Sequence, residues 1–163
     1  MADLEDLKRK LEQAARELPD KAIAIIEVEG KNFIQKNFQD QGFNDNGLDR
    51  WKPRKTTDRK GRDLTRYRTN RKGNVGDLTK FGRENQGRAI LTGHNTGGDK
   101  LRNSWRARRE KLAVVFSTYK GYAKYHNEGT NILPKRQFIG ESAYLDGKIK
   151  TKIQKTLDQI FKS

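Results

Sequence analysis

The side chains best suited to chemistry in this chain are its two histidines, His94 and His126, and the hydroxyl of Ser104. A metal hydrolase needs about three protein ligands and an open coordination position. No third ligand lies at a spacing from either histidine that is typical of a metal-binding motif. A nucleophilic serine usually lies in a Gly-x-Ser-x-Gly turn, which Ser104 lacks. The chain has no cysteine, so thiol catalysis and zinc–thiolate sites are excluded. We therefore expect a protein that is not an enzyme and that carries no metal or cofactor.

A structural role is the better interpretation of the segment from Tyr122 to Gly129. We expect Tyr122 and Tyr125 to pack against neighbouring side chains and His126 to make a structural hydrogen bond. Gly129 would supply a positive φ angle at the end of one helical turn. Ser104 is expected to end a turn or to begin a strand.

Positive charge is the strongest compositional signal. The formal net charge is +15, and residues 50–109 hold 19 Lys/Arg against 5 Asp/Glu, which accounts for +14 of it. Apolar periodicity is almost absent from Trp51 to Arg88, so we predict a long loop over residues 39–90, called the basic arm below. Its cations that could face a partner are Arg54, Lys55, Arg59, Lys60, Arg62, Arg66, Arg68, Arg71 and Lys72.

Three interpretations of the basic arm stay open. The arm could contact DNA phosphates without reading sequence, because no recognition helix is evident. About six such contacts would give a slope near −5 for log K against log salt. The favoured interpretation is an acidic face of a protein neighbour, because a block of one sign repels itself without an opposite partner. The third is a solvated loop.

Hydrophobic spacing predicts helices at both ends of a single domain of 163 residues with a modest core. Residues 1–38 are predicted to form two helices, the first capped by Asp3 and ended by Pro19, the second capped by Asp20. Residues 141–163 are predicted to form a C-terminal helix capped by Ser142. Its apolar stripe is Leu145, Ile149, Ile153, Leu157 and Ile160.

Residues 91–140 are predicted to hold two antiparallel strands. These span 104–109 and 112–118, with a tight turn at Glu110, and the second strand is expected to be covered on both faces. Trp105 should lie in the core. No apolar run approaches the roughly 18 residues of a membrane span, and the N-terminus lacks the apolar region of a secretory signal. We expect synthesis in a cytoplasm and no membrane partner.

Four segments in order resemble motifs of the phage virion morphogenesis, or tail-completion, family. Trp51-Lys52-Pro53 is similar to the family's W-x-P, and Leu91-Thr92-Gly93 with Leu101-Arg102-Asn103-Ser104 is similar to L-x-x-G-x-L-x-x-S. The segment from Tyr122 to Gly129 resembles YA-x-x-H-x-x-G, and that from Pro134 to Gly140 resembles P-x-R-x-F-L-G. One departure is the insert from His94 to Lys100, where the family usually has only a residue or two.

The resemblance implies an α+β fold, with long N-terminal and C-terminal helices packed on a small antiparallel sheet. It also implies a structural protein of the virion neck that joins tail to head as a homo-oligomeric ring, commonly a hexamer. The implied partners are other neck, connector and tail proteins, with the DNA in the channel as an open option, after synthesis in the host cytoplasm.

The motif residues that would serve the fold or assembly are Trp51, Pro53, Leu91, Gly93, Leu101, Ser104, Tyr122, Ala123, His126, Gly129, Pro134, Arg136 and Phe138. Of these, Arg136 and Phe138 are hypothesised to anchor a subunit contact, because arginine and aromatic residues are enriched at interface centres. The alternative function is that of a free, non-specific nucleic-acid-binding accessory protein without a virion role.

Overall fold

The computed structural model describes residues 3–69, 76–93, 98 and 100–162. The fold is α+β, as the sequence predicts, with a long helix at each end and two small antiparallel sheets. The helices are α1 (Leu4–Asp40), α2 (Lys80–Asn85), α3 (Ala123–Glu128) and α4 (Ala143–Lys162), and a 3-10 turn spans Leu101–Asn103. The strands are β1 (Gly42–Asn44), β2 (Leu48–Arg50), β3 (Trp105–Glu110) and β4 (Ala113–Thr118). No helix among the described residues is long and apolar enough to cross a membrane.

The N-terminal segment is one helix, and the predicted break at Pro19 is wrong. Proline removes one backbone donor and crowds the preceding turn, which costs roughly 3 kcal/mol inside a helix. Helix α4 lies along α1 on both sides of this position: Tyr144 contacts Phe33, and the Lys10 Nζ donates to the carbonyl of Phe161 at 3.0 Å. Ending the helix at Pro19 would separate half of it from this partner.

Helix α4 begins where the sequence predicts. Ser142 Oγ accepts a hydrogen bond from the backbone N–H of Leu145 at 3.2 Å, which satisfies a donor of the first turn. The same hydroxyl donates to the carbonyl of Asn44 at 2.7 Å, so the cap also joins α4 to β1. Further along, Lys152 forms an ion pair with the buried carboxylate of Glu29 on α1.

The predicted strand pair is present as β3 and β4, with Glu110 opposite Ala113 across a two-residue turn. The expectation that the second strand is covered on both faces is wrong, because Ala113, Val115 and Ser117 are exposed. The other face packs on α1, where Phe116 lies so close to Gly30 that a Cβ there would fall 2.2 Å from the ring.

The basic arm contains three short elements that the sequence did not predict. Strands β1 and β2 form a hairpin in which Phe43 lies opposite Asp49, and α2 follows later. Between them the turns are stabilised by side chains: Asp58 Oδ1 accepts from the backbone N–H groups of Lys60 at 2.8 Å and Arg62 at 2.9 Å. Polar residues here replace the hydrogen bonds of longer elements, so no periodic pattern marks them.

Candidate functional site

The four motif segments meet in one aromatic core. Phe138 stacks on Phe38 of α1 with ring centroids 5.3 Å apart, and Trp51 contacts Phe38 edge-on at 5.4 Å. Ile34, Leu101 and Ala123 complete the buried cluster. Residues that are far apart in sequence are therefore brought together by a single packing unit, which α1 positions.

Two side chains fix the segment around Phe138 to the segment after β2. The indole Nε1 of Trp51 donates to the carbonyl of Gln137 at 2.7 Å. In the opposite direction, the Arg136 Nε donates to the carbonyl of Lys52 at 3.1 Å, and its Nη2 reaches that of Pro53 at 3.5 Å. The two motif segments thus hold each other through reciprocal bonds to backbone oxygen.

This geometry argues against the hypothesis that Arg136 and Phe138 anchor a subunit contact. Phe138 has 0% and Arg136 7% of its surface exposed, and their neighbours belong to the same chain. Burial lowers the pKa of Arg136, and the charge of Arg54 lowers it further. An arginine that is already buried and hydrogen-bonded within its own chain has few donors left for a partner subunit.

Two asparagines organise this core, and the sequence analysis missed both. Asn127 Oδ1 accepts from the backbone N–H groups of Phe138 at 3.0 Å and Ile139 at 3.1 Å. Asn37, fully buried on α1, donates to the carbonyl of Phe138 at 3.2 Å and accepts from the N–H of Asn44 at 3.0 Å. A lone amide within the apolar stripe of α1 was the available signal for Asn37.

The segment from Tyr122 to Gly129 forms the predicted helical turn, α3, with Gly129 at φ 78° as its C-cap. The expected side-chain packing is only partly found, because Tyr122 and Tyr125 are about half exposed, although Tyr122 meets the His126 ring edge-on at 6.0 Å. The expected hydrogen bond of His126 is absent at its buried Nδ1, which has no partner among the described residues. Burial lowers the pKa of His126, and the Arg136 charge adds to this effect.

Ser104 ends the 3-10 turn and precedes β3, as predicted. It is buried, and its Oγ donates to the carbonyl of Leu101 at 2.9 Å and contacts the hydroxyl of Thr118. Both contacts are structural. Within the part of the chain that the structure describes, no group of three His, Cys, Asp or Glu side chains could hold a metal ion.

The remaining motif residues occupy turns and edges. Leu91 is half-buried beside the core at φ 60°, and Gly93 follows at φ 71°. Pro53 is exposed and Pro134 half-buried. Most of the insert after Gly93, including His94, lies outside the described residues.

The cations of the basic arm fall into different environments. Arg62 is paired with Asp58 at 2.8 Å, and Arg68 donates to the carbonyl of Gly76 at 2.5 Å. Arg59 and Lys60 are exposed at a turn. The predicted Arg71 and Lys72 lie outside the described residues. The others, Arg54, Lys55 and Arg66, line one open cleft.

This cleft, called the arm cleft below, has a volume of about 580 Å³. Its lining residues are Arg54, Lys55, Leu64, Thr65, Arg66, Tyr67 and Phe81. The rings of Tyr67 and Phe81 lie 5.7 Å apart, and Arg54 Nη1 donates to the Tyr67 hydroxyl at 3.3 Å. Cations and aromatic rings are therefore presented side by side.

Exposed apolar side chains are grouped in the sequence at the start of α1 and around α3. At the start of α1, Leu4, Leu7 and Leu11 are 78%, 45% and 53% exposed, at helical spacing on one face. Around α3 the exposed set consists of Tyr119, Tyr122, Tyr125, Ile132 and Leu133. Apolar clusters of this kind mark interaction sites more often than isolated exposed residues do.

No family model matches the chain, and neither a curated protein nor a solved structure matches it significantly. The resemblance to the virion morphogenesis family therefore rests on the four sequence segments alone.

Proposed function

We propose that this chain is a non-enzymatic structural protein of a tailed-phage virion, which assembles with copies of itself into a ring at the neck and completes the tail. The observation that carries the proposal is the meeting of all four motif segments in one core around Trp51 and Phe138. Motifs that maintain packing and backbone bonds, rather than reactive groups, fit a protein whose work is adhesion.

The exposed apolar surfaces support self-assembly. A closed ring requires a heterologous interface, in which two different faces of the same subunit are complementary. The leucines at the start of α1 and the exposed apolar residues around α3 are the two candidates for these faces. In a ring the first face of one copy would cover the second face of the next and remove both from water.

The proposal is tested by the mass of the purified chain in solution. Light scattering across a range of protein and salt concentrations should detect one discrete ring-sized particle. High salt should not dissociate it, because apolar contacts are not screened as ion pairs are. A monomer throughout, with tight binding to duplex DNA, would instead favour the second candidate.

That second candidate is a free nucleic-acid-binding accessory protein. It is favoured by one specific observation, the exposed cations of the basic arm, of which Arg54, Lys55 and Arg66 line the open arm cleft. Its signature is an affinity for duplex DNA that falls with salt at a log–log slope near −5 for about six phosphate contacts.

A further inference from the structure

The arm cleft carries an unusual combination of charge and aromatic surface. Its described lining includes the cations of Arg54, Lys55 and Arg66 and no carboxylate. This lining favours a ligand that brings negative charge. Its volume of about 580 Å³ lies within the roughly 300–1,000 Å³ of small-ligand sites.

The aromatic part of the cleft is held by the backbone. The N–H of Thr79 donates to the carbonyl of Tyr67 at 2.8 Å, which fixes the start of α2 against this residue. Gly82 then approaches so closely that a Cβ there would lie 2.0 Å from the Tyr67 carbonyl oxygen. These contacts place Phe81 beside Tyr67, so the two rings form a preset apolar wall, extended by Leu64, which is 62% exposed.

We propose that the arm cleft binds single-stranded nucleic acid, with an unpaired base against Tyr67 and Phe81 and the adjacent phosphates on Arg54, Lys55 and Arg66. Every base has a π face that stacks on an aromatic ring, so this binding tolerates any sequence. Arginine pairs with phosphate through a fork of donors. The site is independent of self-assembly and goes beyond the proposed structural role.

Duplex DNA and acidic peptides fit the same cleft less well. A duplex keeps its bases paired and stacked inside, so it can offer the cleft only its phosphates. An acidic peptide could neutralise the cations but offers no flat π face to stack on the rings of Tyr67 and Phe81. A single strand meets both surfaces at once.

The first test compares three labelled probes by fluorescence anisotropy with the intact chain. The probes are an oligo-dT of about fifteen nucleotides, an abasic strand of the same length and phosphate count, and the matching duplex. Oligo-dT should bind about tenfold more tightly than the abasic strand, because only it can stack. Equal affinities for these two strands, or tighter binding of the duplex, would overturn the proposal.

The second test changes the aromatic wall. Tyr67→Leu keeps apolar volume but removes the ring, and should weaken oligo-dT binding about tenfold while leaving abasic binding unchanged. Tyr67→Phe, the matched control, keeps the ring and should bind as the wild type does. Thermal melting by circular dichroism verifies that both variants fold. Unchanged oligo-dT binding by a folded Tyr67→Leu variant would count against stacking.

The third test changes the charge. The triple variant Arg54→Gln, Lys55→Gln, Arg66→Gln should flatten the log–log salt slope for single strands by about 2, at roughly 0.7 for each of three lost phosphate contacts. The control triple variant, Lys8→Gln, Lys150→Gln, Lys155→Gln, loses the same charge at exposed sites outside the arm cleft and should keep the slope. Equal flattening in both would indicate diffuse attraction and no site.

A different outcome concerns assembly. If neither the oligo-dT nor the abasic strand binds, and the triple variant of Arg54, Lys55 and Arg66 instead lowers the assembled mass, the cleft receives a neighbouring subunit and the proposal fails.

Discussion

The indole of Trp51 donates a 2.7 Å hydrogen bond to the carbonyl of Gln137, across 86 positions of sequence. This bond joins the segment after β2 to the segment that carries Phe138, and the edge-on contact of Trp51 with Phe38 lies beside it. Trp51 therefore stabilises the core in two ways, by packing its ring against Phe38 and by donating a directional hydrogen bond.

Replacing Trp51 should separate these two contributions. Trp51→Phe retains an aromatic ring but leaves the Gln137 carbonyl without its donor, and should lower the free energy of unfolding by about 1–3 kcal/mol. Trp51→Ala also creates a cavity and should cost about 3–5 kcal/mol. Urea unfolding followed by circular dichroism measures both. A Trp51→Phe variant as stable as the wild type would show that the hydrogen bond contributes nothing to stability, and equal losses in the two variants would show that the ring contributes nothing.

Asn127→Ala should be more disruptive than its size suggests. The change removes the acceptor of two backbone N–H groups, those of Phe138 and Ile139, at a part-buried place. We expect the free energy of unfolding to fall by about 2–3 kcal/mol, as for unsatisfied buried donors. The control is Asn131→Ala, at an exposed asparagine, which should change it by less than about 0.5 kcal/mol.

Gly30→Ala tests the close approach of β4 to α1. An added Cβ would lie 2.2 Å from the Phe116 ring, so the strand must shift, and we expect a loss of about 1–3 kcal/mol in unfolding free energy. Phe116→Leu in the same chain should recover part of this loss. The control is Gly147→Ala, on α4 with open space around it, which should stabilise by about 0.5–1 kcal/mol.

The burial of His126 predicts a dependence of stability on pH. The pKa of His126 is lowered in the folded protein. As the pH falls through about 6.5, the imidazole is therefore protonated in the unfolded chain while it stays neutral in the folded chain. The free energy of unfolding should therefore be greatest above pH 6.5 and fall as the pH drops below it. Urea unfolding at pH 7.5 and 5.5 should give a smaller decrease for His126→Gln than for the wild type. Identical decreases would mean that another group causes the dependence.

The leucines at the start of α1 provide a test of the assembly surface. Leu7→Glu with Leu11→Glu places charge on the exposed stripe and should reduce the assembled mass, because burying an unpaired charge at an interface is costly. Arg16→Glu makes the same change of −2 in net charge on α1 outside this stripe and should leave assembly unchanged. Assembly that survives the leucine changes would remove this face from the interface.

Periodic features of the fold could be predicted from the sequence, whereas features set by tertiary contact could not. The stripe of α4, the Ser142 cap, the pairing of β3 with β4 and the positive φ of Gly129 all follow local rules. The continuation of α1 through Pro19 depends on α4 lying alongside, which no local pattern reports. Likewise, the types of Arg136 and Phe138 suited an interface, but their burial depends on residues more than 80 positions away.

The basic arm, too, could be predicted from the sequence only in part. Its charge was evident from composition, but the arm cleft exists because Thr79 and Gly82 bring Phe81 against Tyr67. Backbone N–H groups donate to Asp58 Oδ1 and to Thr79 Oγ1 and so fix these turns, and such polar contacts leave no periodic pattern in a sequence.

The proposed function requires the chain to assemble with itself through two different faces into a closed ring. The most direct measurement is native mass spectrometry of the purified wild-type chain over a range of concentrations. With a subunit of 18.8 kDa, we expect the monomer and a single closed species, near 113 kDa for six copies, with few intermediates. A monomer at every concentration, or a dimer as the terminal species, would contradict it.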